Sequence, residues 1–219
     1  MTAQIFDRLL MSLIAATLLA SVVITLFAPE YFHLTFAAED RLVENGTALF
    51  LLLACLVLLR NTSGLAGRGL YVGSALTAFY ALLFFFASGE EISWGQRIFG
   101  WETTEFFAEN NYQGETNLHN LMVGEHRLAR TLFGNVLTTV LLLYLVALPL
   151  LWSRVALVRR LSDALFIPVP GPRHAAAALI GSLVIAVLDV PRKWEVYELV
   201  FAILATSIFL LPQNRERIR

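Results

Sequence analysis

The run Gly46-Thr-Ala-Leu-Phe-Leu-Leu-Leu-Ala-Cys-Leu-Val-Leu-Leu59 decides the fold class, because it contains no charged residue and lies between Glu44 and Arg60. Comparable apolar runs recur along the 219 residues, of which 58% are hydrophobic and 15% are charged. A soluble domain of this length carries more charge, and a run of about 20 apolar residues is long enough to cross a bilayer. The sequence therefore predicts an all-α, polytopic membrane helical bundle.

Six transmembrane helices are predicted within one helical domain that covers residues 1–219. The predicted spans are residues 9–28, 42–60, 69–89, 131–152, 174–190 and 195–211. The first is longer than the apolar core of a signal peptide and lacks a good cleavage site, so we expect it to be retained. The last two are short, and they either cross the bilayer slightly inside its faces or dip into it as a hairpin around Pro191.

The basic and acidic residues predict an orientation for this bundle. Ten of the 16 basic residues, but only three of the 17 acids, fall in the segments on the same side as the N-terminus. By the positive-inside rule, both termini are then cytoplasmic and the other 14 acids face outward. Residues 153–173 form a basic, amphipathic inner segment suited to anionic lipid. Residues 90–130 form a long, aromatic outer segment. The net charge of −1 does not indicate a nucleic-acid partner.

The motif Gly89-Glu-Glu-Ile-Ser-Trp-Gly-Gln-Arg97 carries the strongest functional signal. Two adjacent acids at the end of an apolar helix are unfavourable next to the negative end of its dipole, which favours a role as metal ligand or general base for Glu90 or Glu91. Gln96 and Arg97 are placed to orient that acid or a substrate. The alternative interpretation is a polar helix end with a surface ion pair.

A second group follows in the outer segment. If residues 115–130 are helical, Glu115 and His119 lie one turn apart on one face and His126 continues it, which is a workable spacing for metal ligands. The alternative is a polar loop folded over the bundle. Further acids lie near the ends of neighbouring helices, at Glu44 and Glu198, and amide side chains are dense around Asn117 and Asn120.

Three blocks carry a resemblance. The Glu39-Asp-x3-Glu44 opening of the second helix, the Gly89–Arg97 motif and Asn117-Leu-His-Asn120 together resemble a group of uncharacterised bacterial multi-pass membrane proteins. This resemblance implies a bacterial inner-membrane protein and no particular activity. A weaker likeness is to the CAAX-protease and bacteriocin-processing intramembrane proteases, in which Glu90-Glu91 would be the acid pair. The arginine of that family's motif is displaced here to Arg97.

The leading hypothesis is a metal-assisted hydrolase or transferase that acts on a membrane lipid, a lipid-linked intermediate or a peptide end at the outer face. A divalent ion would activate water or polarise an ester or phosphoryl oxygen, and Arg97 would stabilise negative charge. The expected metal ligands are Glu91, Glu115, His119 and His126. The expected catalytic residues are Glu90, Glu91, Arg97, Glu44 and Glu198. The expected substrate contacts are Trp94, Gln96, Asn117 and Asn120.

Two alternatives remain open at this point. A cation or proton transporter would place acids at several depths of the bundle, whereas this sequence concentrates them on one face. A non-catalytic subunit would instead dock a membrane-protein partner through the long outer segment.

Overall fold

The computed structural model describes residues 2–124, 126–127 and 135–218. Within these residues the regular secondary structure is helical apart from one hairpin of two-residue strands, and turns and irregular segments connect the elements. The first half contains α1 (Ala3–Phe27), α2 (Pro29–Tyr31), a π-helical turn (Phe32–Phe36), α3 (Leu42–Gly67), α4 (Tyr71–Glu91), a 3-10 turn (Ser93–Gly95), α5 (Gln96–Phe99) and α6 (Glu105–Asn110). The second half contains β1 (Met122–Val123), β2 (His126–Arg127), α7 (Asn135–Leu142), a π-helical turn (Leu143–Ala147), α8 (Leu148–Trp152), α9 (Ala156–Ala164), α10 (Pro172–Val187), α11 (Lys193–Leu210) and α12 (Arg215–Ile218).

Three helices, α1, α3 and α4, are long and apolar enough to cross a membrane. The described part of the α7–α8 segment, joined to α9 across a bend of 119°, is a fourth if the pair is taken as one span. The described chain therefore has three to four candidate spans by length and composition. Leucines on several helices are exposed, such as Leu19 on α1, Leu82 on α4 and Leu183 on α10, and such surfaces suit contact with lipid.

The helix α11 lies at the centre of the bundle. Every residue from Ala202 to Leu210 is buried, and the helix packs against α3, α1 and α10. Phe84 of α4 stacks on Phe201 and meets Phe209 edge-on, with ring centroids 6.4 and 4.8 Å apart. Gly46 suits the close approach of α3 to α11, because a Cβ there would lie 3.1 Å from a Leu199 methyl carbon. The acids at the start of α11 therefore lie beside the start of α3.

A buried polar clamp joins α1, α10 and α11. His174 is fully buried and its Nδ1 accepts a 2.9 Å hydrogen bond from the Gly171 backbone N–H, so the imidazole proton is on Nε2. That nitrogen lies 2.9 Å from Ser207 Oγ, and Ser207 donates at 2.5 Å to Asp7 Oδ1. Arg173 also donates to Asp7. Because Ser207 donates to the carboxylate, the order of donation differs from that of a nucleophilic serine, which donates to histidine.

Helix boundaries differ from the predicted spans where polar side chains find partners inside the bundle. The helix α3 continues to Gly67 rather than ending near residue 60, since Asn61 Nδ2 donates to the Phe209 carbonyl oxygen at 3.2 Å. The helix α1 begins at Ala3 rather than residue 9, because Asp7 is satisfied by the clamp. Residues 131–134 of the predicted fourth span lie outside the described residues.

Candidate functional site

The turn that ends α4 determines where the Gly89–Arg97 motif places its side chains. Ser93, Trp94 and Gly95 have φ values of 47°, 55° and 79°, so three successive residues are left-handed, which is costly for the two that are not glycine. The turn folds Trp94 back onto Gly89, where a Cβ would lie 2.8 Å from indole Cε3. The motif therefore specifies a tight reversal at the end of the helix.

Glu90 is the anchor of this reversal. Its side chain is buried, and Oε1 accepts a 2.7 Å hydrogen bond from Trp94 Nε1. The other oxygen, Oε2, accepts the backbone N–H groups of Leu118 at 2.5 Å and His119 at 3.1 Å. Charge-assisted hydrogen bonds of this kind are among the stronger ones in proteins. Glu90 thus fixes residues 118–119 to the end of α4, and both of its oxygens are occupied.

Residues 92–121, which we call the polar cap, fold around Asn117. Its side chain is 1% exposed. The amide nitrogen lies 2.8 Å from Ser93 Oγ and 3.2 Å from Glu115 Oε2, and the amide oxygen accepts from Asn111 Nδ2 at 2.9 Å and from the Asn120 N–H at 3.2 Å. Ser93 itself donates to Glu115 at 2.5 Å. Because these polar atoms are buried and paired, the polar cap has a defined conformation.

Ion pairs join the polar cap to the start of α3 and to the segment before α11. Arg97 pairs with Asp40 and with Glu115, and Asp40 is held in a left-handed conformation with φ of 59°. Glu39 accepts hydrogen bonds of 2.5 Å from Gln113 and from Arg192. The acidic opening of α3, the Gly89–Arg97 motif and the Asn117–Asn120 block, which are separate in the sequence, therefore meet in one structure.

A second group of acids, the carboxylate cluster, consists of Glu44 on α3, Glu91 on α4, and Glu195 and Glu198 on α11. Glu91 interacts electrostatically with Glu198, Glu195 and Glu44, and Glu198 interacts with Glu195 and Glu44. Glu44 accepts a hydrogen bond from the Asp40 N–H. Among the described residues, neither Glu91 nor Glu198 has a hydrogen-bond or ion-pair partner. Nearby positive charge comes from Arg97 beside Glu44 and Arg192 beside Glu195.

The expected helix over residues 115–130 is wrong for the part of it that the structure describes. Residues 115–121 form turns, and β1 pairs antiparallel with β2. Gly114 and Gly124 have φ values of 68° and 62°, and the amide network supplies the hydrogen bonds that a helix would otherwise make. Glu115 and His119 are therefore not successive turns of one helix.

His119 is half-buried at the edge of the polar cap. Its Nε2 lies 3.1 Å from Asn120 Nδ2, an amide that also donates to Gln113. Burial lowers the pKa of His119 from its usual value, and the negative charge of Glu90 opposes that shift. The imidazole is therefore neutral near pH 7, which is the state that a metal ligand requires and that allows Nε2 to accept a hydrogen bond from the Asn120 amide.

The expected metal ligands whose side chains the structure describes do not converge on one point. Glu91 belongs to the carboxylate cluster, whereas Glu115 is bonded to Ser93, Asn117 and Arg97 in the polar cap. The side chain of His126 lies outside the part of the chain that the structure describes. Across residues 2–124, 126–127 and 135–218, no group of three or more His, Cys, Asp or Glu side chains has the arrangement of a metal site.

The four expected substrate contacts all belong to the polar cap, where their polar atoms make internal hydrogen bonds. Gln96 accepts the Thr116 N–H at 2.8 Å, and Trp94 packs against the rings of Phe85 and Phe86. Their observed contacts position the polar cap.

Sequence reasoning assigned no role to two residues that the structure places in these groups. Ser93 is the buried bridge between Asn117 and Glu115. Glu195 lies in the carboxylate cluster. The sequence does contain an indication for Glu195: it precedes Glu198 by about one helical turn, so both side chains lie on similar faces of α11.

No protein-family model, curated protein or solved structure matches this chain.

Proposed function

We propose that this protein is an integral membrane protein with six spans and both termini in the cytoplasm of a bacterium. The spans would be α1, α3, α4, the helix that ends with α8, α10 and α11. The last two have 16 and 18 residues, or about 24 and 27 Å at the rise of an α-helix, so they need flanking residues to complete a crossing. The distribution of basic residues supports a cytoplasmic position for α9 and α12 and an external position for the polar cap.

We further propose that the protein is a metal-assisted enzyme with its active site at the external face. It would hydrolyse or transfer part of a lipid or lipid-linked substrate. One observation carries this proposal: carboxylates from α3, α4 and α11 are close enough to interact electrostatically beside the hydrogen-bonded polar cap, and Glu91 and Glu198 have only other carboxylates as electrostatic neighbours. Such charges within a membrane protein require a proton or a bound cation. The proposed ligands are therefore revised to the carboxylate cluster, with Glu115 left to the polar cap.

The chemistry of the cluster suits a hard divalent cation, because its ligands are carboxylate oxygens. An ion would have to draw these side chains together, because among the described residues the cluster does not have the arrangement of a metal site. Glu91 and Glu198 would lose no hydrogen bond to a described residue in that movement. A cation there would polarise an ester or phosphoryl oxygen. A cluster carboxylate that is not a ligand would accept the proton of the attacking group, and the exposed leucines of α3 and α4 favour a lipid substrate.

Elemental analysis of the detergent-purified protein tests this proposal. We expect near-stoichiometric divalent metal in the wild type, and its loss in Glu91→Gln and in Glu198→Gln. Glu105→Gln is the matched control, because Glu105 is an exposed acid of α6 outside the cluster. Equal metal content in all four proteins would overturn the assignment. So would a wild type without metal after incubation with calcium, magnesium, manganese, iron and zinc.

A second candidate function, docking of a membrane-protein partner, is favoured by exposed apolar residues on the polar cap. Ile98, Phe99 and Phe106 are 65%, 81% and 58% exposed. If the cap is a docking surface, a stoichiometric partner will co-purify with the wild type and with Glu91→Gln but will be lost from the Phe99→Ser, Phe106→Ser double variant. Co-purification that depends on neither phenylalanine would exclude this surface.

A further inference from the structure

The helix α9 has three distinct faces. Ser162, near its end, is 2% exposed and points into the protein, as does Phe166 one turn later. At 100° per residue, Leu161 lies to one side of Ser162 and Asp163 to the other. Leu157, Leu161 and Leu165 therefore form one stripe, and they are 64%, 53% and 45% exposed. The polar residues Arg159, Arg160 and Asp163 lie on the opposite side of the helix.

The orientation of α9 is fixed at both ends. The bend of 119° after α8 turns it away from the direction of the preceding helix, so it lies closer to the membrane plane than to the membrane normal if α7–α8 crosses the bilayer. At its C-terminal end, Asn214 Nδ2 donates to the Ile167 carbonyl oxygen at 3.0 Å. Arg217 donates to the Asp163 carbonyl oxygen at 3.1 Å and lies 4.1 Å from the ring centroid of Phe166.

Positive charge lies on the polar side of α9, opposite the leucine stripe. Arg159 donates to the carbonyl oxygens of Trp152 and Ser153 at 3.3 and 3.2 Å, which keeps it beside the bend. Arg160 is exposed, and no described residue pairs with it. A helix with an apolar stripe, an opposed polar face and unpaired arginine is the usual form of an interfacial helix that contacts anionic lipid.

We propose that α9 lies in the headgroup region of the membrane and binds anionic phospholipid. The leucine stripe inserts among the acyl chains next to the headgroups, while Arg160 contacts a lipid phosphate. Both the membrane position and the charge complementarity come from residues remote from the carboxylate cluster. The inference therefore goes beyond the proposed enzyme and requires only that the chain spans a membrane.

Site-directed fluorescence in nanodiscs tests this proposal with the full chain. Leu161→Cys and Arg160→Cys are each labelled with a polarity-sensitive dye, and the wild type reports background, because Cys55 is buried. Discs contain phosphatidylcholine alone or mixed with phosphatidylglycerol, and a lipid spin-labelled near its headgroup serves as quencher. We expect a blue-shifted, strongly quenched signal at position 161, a weaker one at 160, and a larger difference when phosphatidylglycerol is present.

The charge is tested in the same assay by adding Arg160→Gln to Leu161→Cys. Because one arginine near an anionic surface changes partitioning by about fivefold, we expect a corresponding loss of the phosphatidylglycerol effect at position 161. Equal quenching at positions 160 and 161 would overturn the membrane position of the stripe. Quenching at position 161 that does not depend on phosphatidylglycerol would overturn the proposal of anionic-lipid binding. Neither fluorescence result bears on the metal content of the protein. The lipid-binding proposal and the enzyme proposal can therefore be refuted separately.

Discussion

Two adjacent glutamates of the same motif have different surroundings. Glu90 accepts three hydrogen bonds and holds the polar cap to α4, whereas Glu91 has no hydrogen-bond partner among the described residues. The reason is geometric: neighbouring side chains on a helix point about 100° apart, so one meets the polar cap and the other meets Glu198. A doubled acid therefore places one side chain in the polar cap and the other in the carboxylate cluster.

The amide of Asn117 is predicted to be the most sensitive position in the polar cap. Asn117→Ala removes a hydrogen-bond partner from buried polar atoms of Ser93, Glu115 and Asn111. Each such loss costs about 1–3 kcal/mol of stability. We expect a total destabilisation of about 3 kcal/mol, confined to residues 111–121. The measurement is amide hydrogen exchange. It should become faster in residues 111–121 and stay unchanged in α3 and α11.

Asn110→Ala is the matched control for this variant. Asn110 is one residue from the network, and its amide makes a single hydrogen bond, to the Phe106 carbonyl oxygen at 2.9 Å. We expect a change below about 1 kcal/mol for this partly exposed side chain. If Asn110→Ala and Asn117→Ala accelerate exchange equally, the buried amide is not the centre of the polar cap.

At the scale of elements, the helices could be predicted and the polar cap could not. The apolar runs place both ends of α4, α10 and α11 within three residues, because apolar composition marks a long helix directly. The start of α1 and the end of α3 lie six and seven residues beyond their predicted positions. The polar cap depends instead on contacts between distant positions, such as Arg97 with Asp40 and Glu90 with residues 118–119. Amide-rich segments have several ways to satisfy their hydrogen bonds, so a helical period is a poor guide to their structure. Convergence of the three blocks was predictable, but the division between Glu90 and Glu91 was not.

The clamp that joins α1, α10 and α11 gives a prediction at the same scale. Asp7→Ala removes the acceptor for Ser207 and for Arg173, which leaves a buried hydroxyl and a half-exposed guanidinium without their partner. We expect a loss of about 2–3 kcal/mol and a lower thermal unfolding midpoint in detergent. Asp7→Asn, which keeps an acceptor oxygen, should fall between Asp7→Ala and the wild type.

Arg8→Ala controls for a charge change at the same end of α1. Arg8 is exposed, and surface substitutions of this kind alter stability by less than about 0.5 kcal/mol. An unfolding midpoint of Asp7→Ala equal to that of Arg8→Ala would show that the clamp contributes nothing to the packing of α1 on α11.

At the scale of the whole molecule, the buried clamp and the carboxylate cluster lie at two separated places. The clamp lies near the N-terminal end of α1, whereas the carboxylate cluster lies at the start of α11. Between them, α11 is apolar from Leu199 to Ala205, and every one of these positions except Phe201 is fully or nearly fully buried. A continuous path for a cation or proton along this helix would need polar groups in that interval. The arrangement therefore favours a site at one membrane face over a pathway across it.

This arrangement predicts which positions are accessible from each side of the membrane. With six spans and internal termini, single cysteines at Glu105→Cys and Pro191→Cys should react with an impermeant maleimide in intact cells. Arg160→Cys and Glu216→Cys should react only after permeabilisation, because α9 and α12 would lie inside. All four positions are exposed, and the buried Cys55 makes the wild type the unlabelled control. Labelling at position 105 but not at 191 in intact cells would show that α10 and α11 form an internal hairpin. The reverse pattern, with only positions 160 and 216 labelled, would invert the protein and place the carboxylate cluster in the cytoplasm.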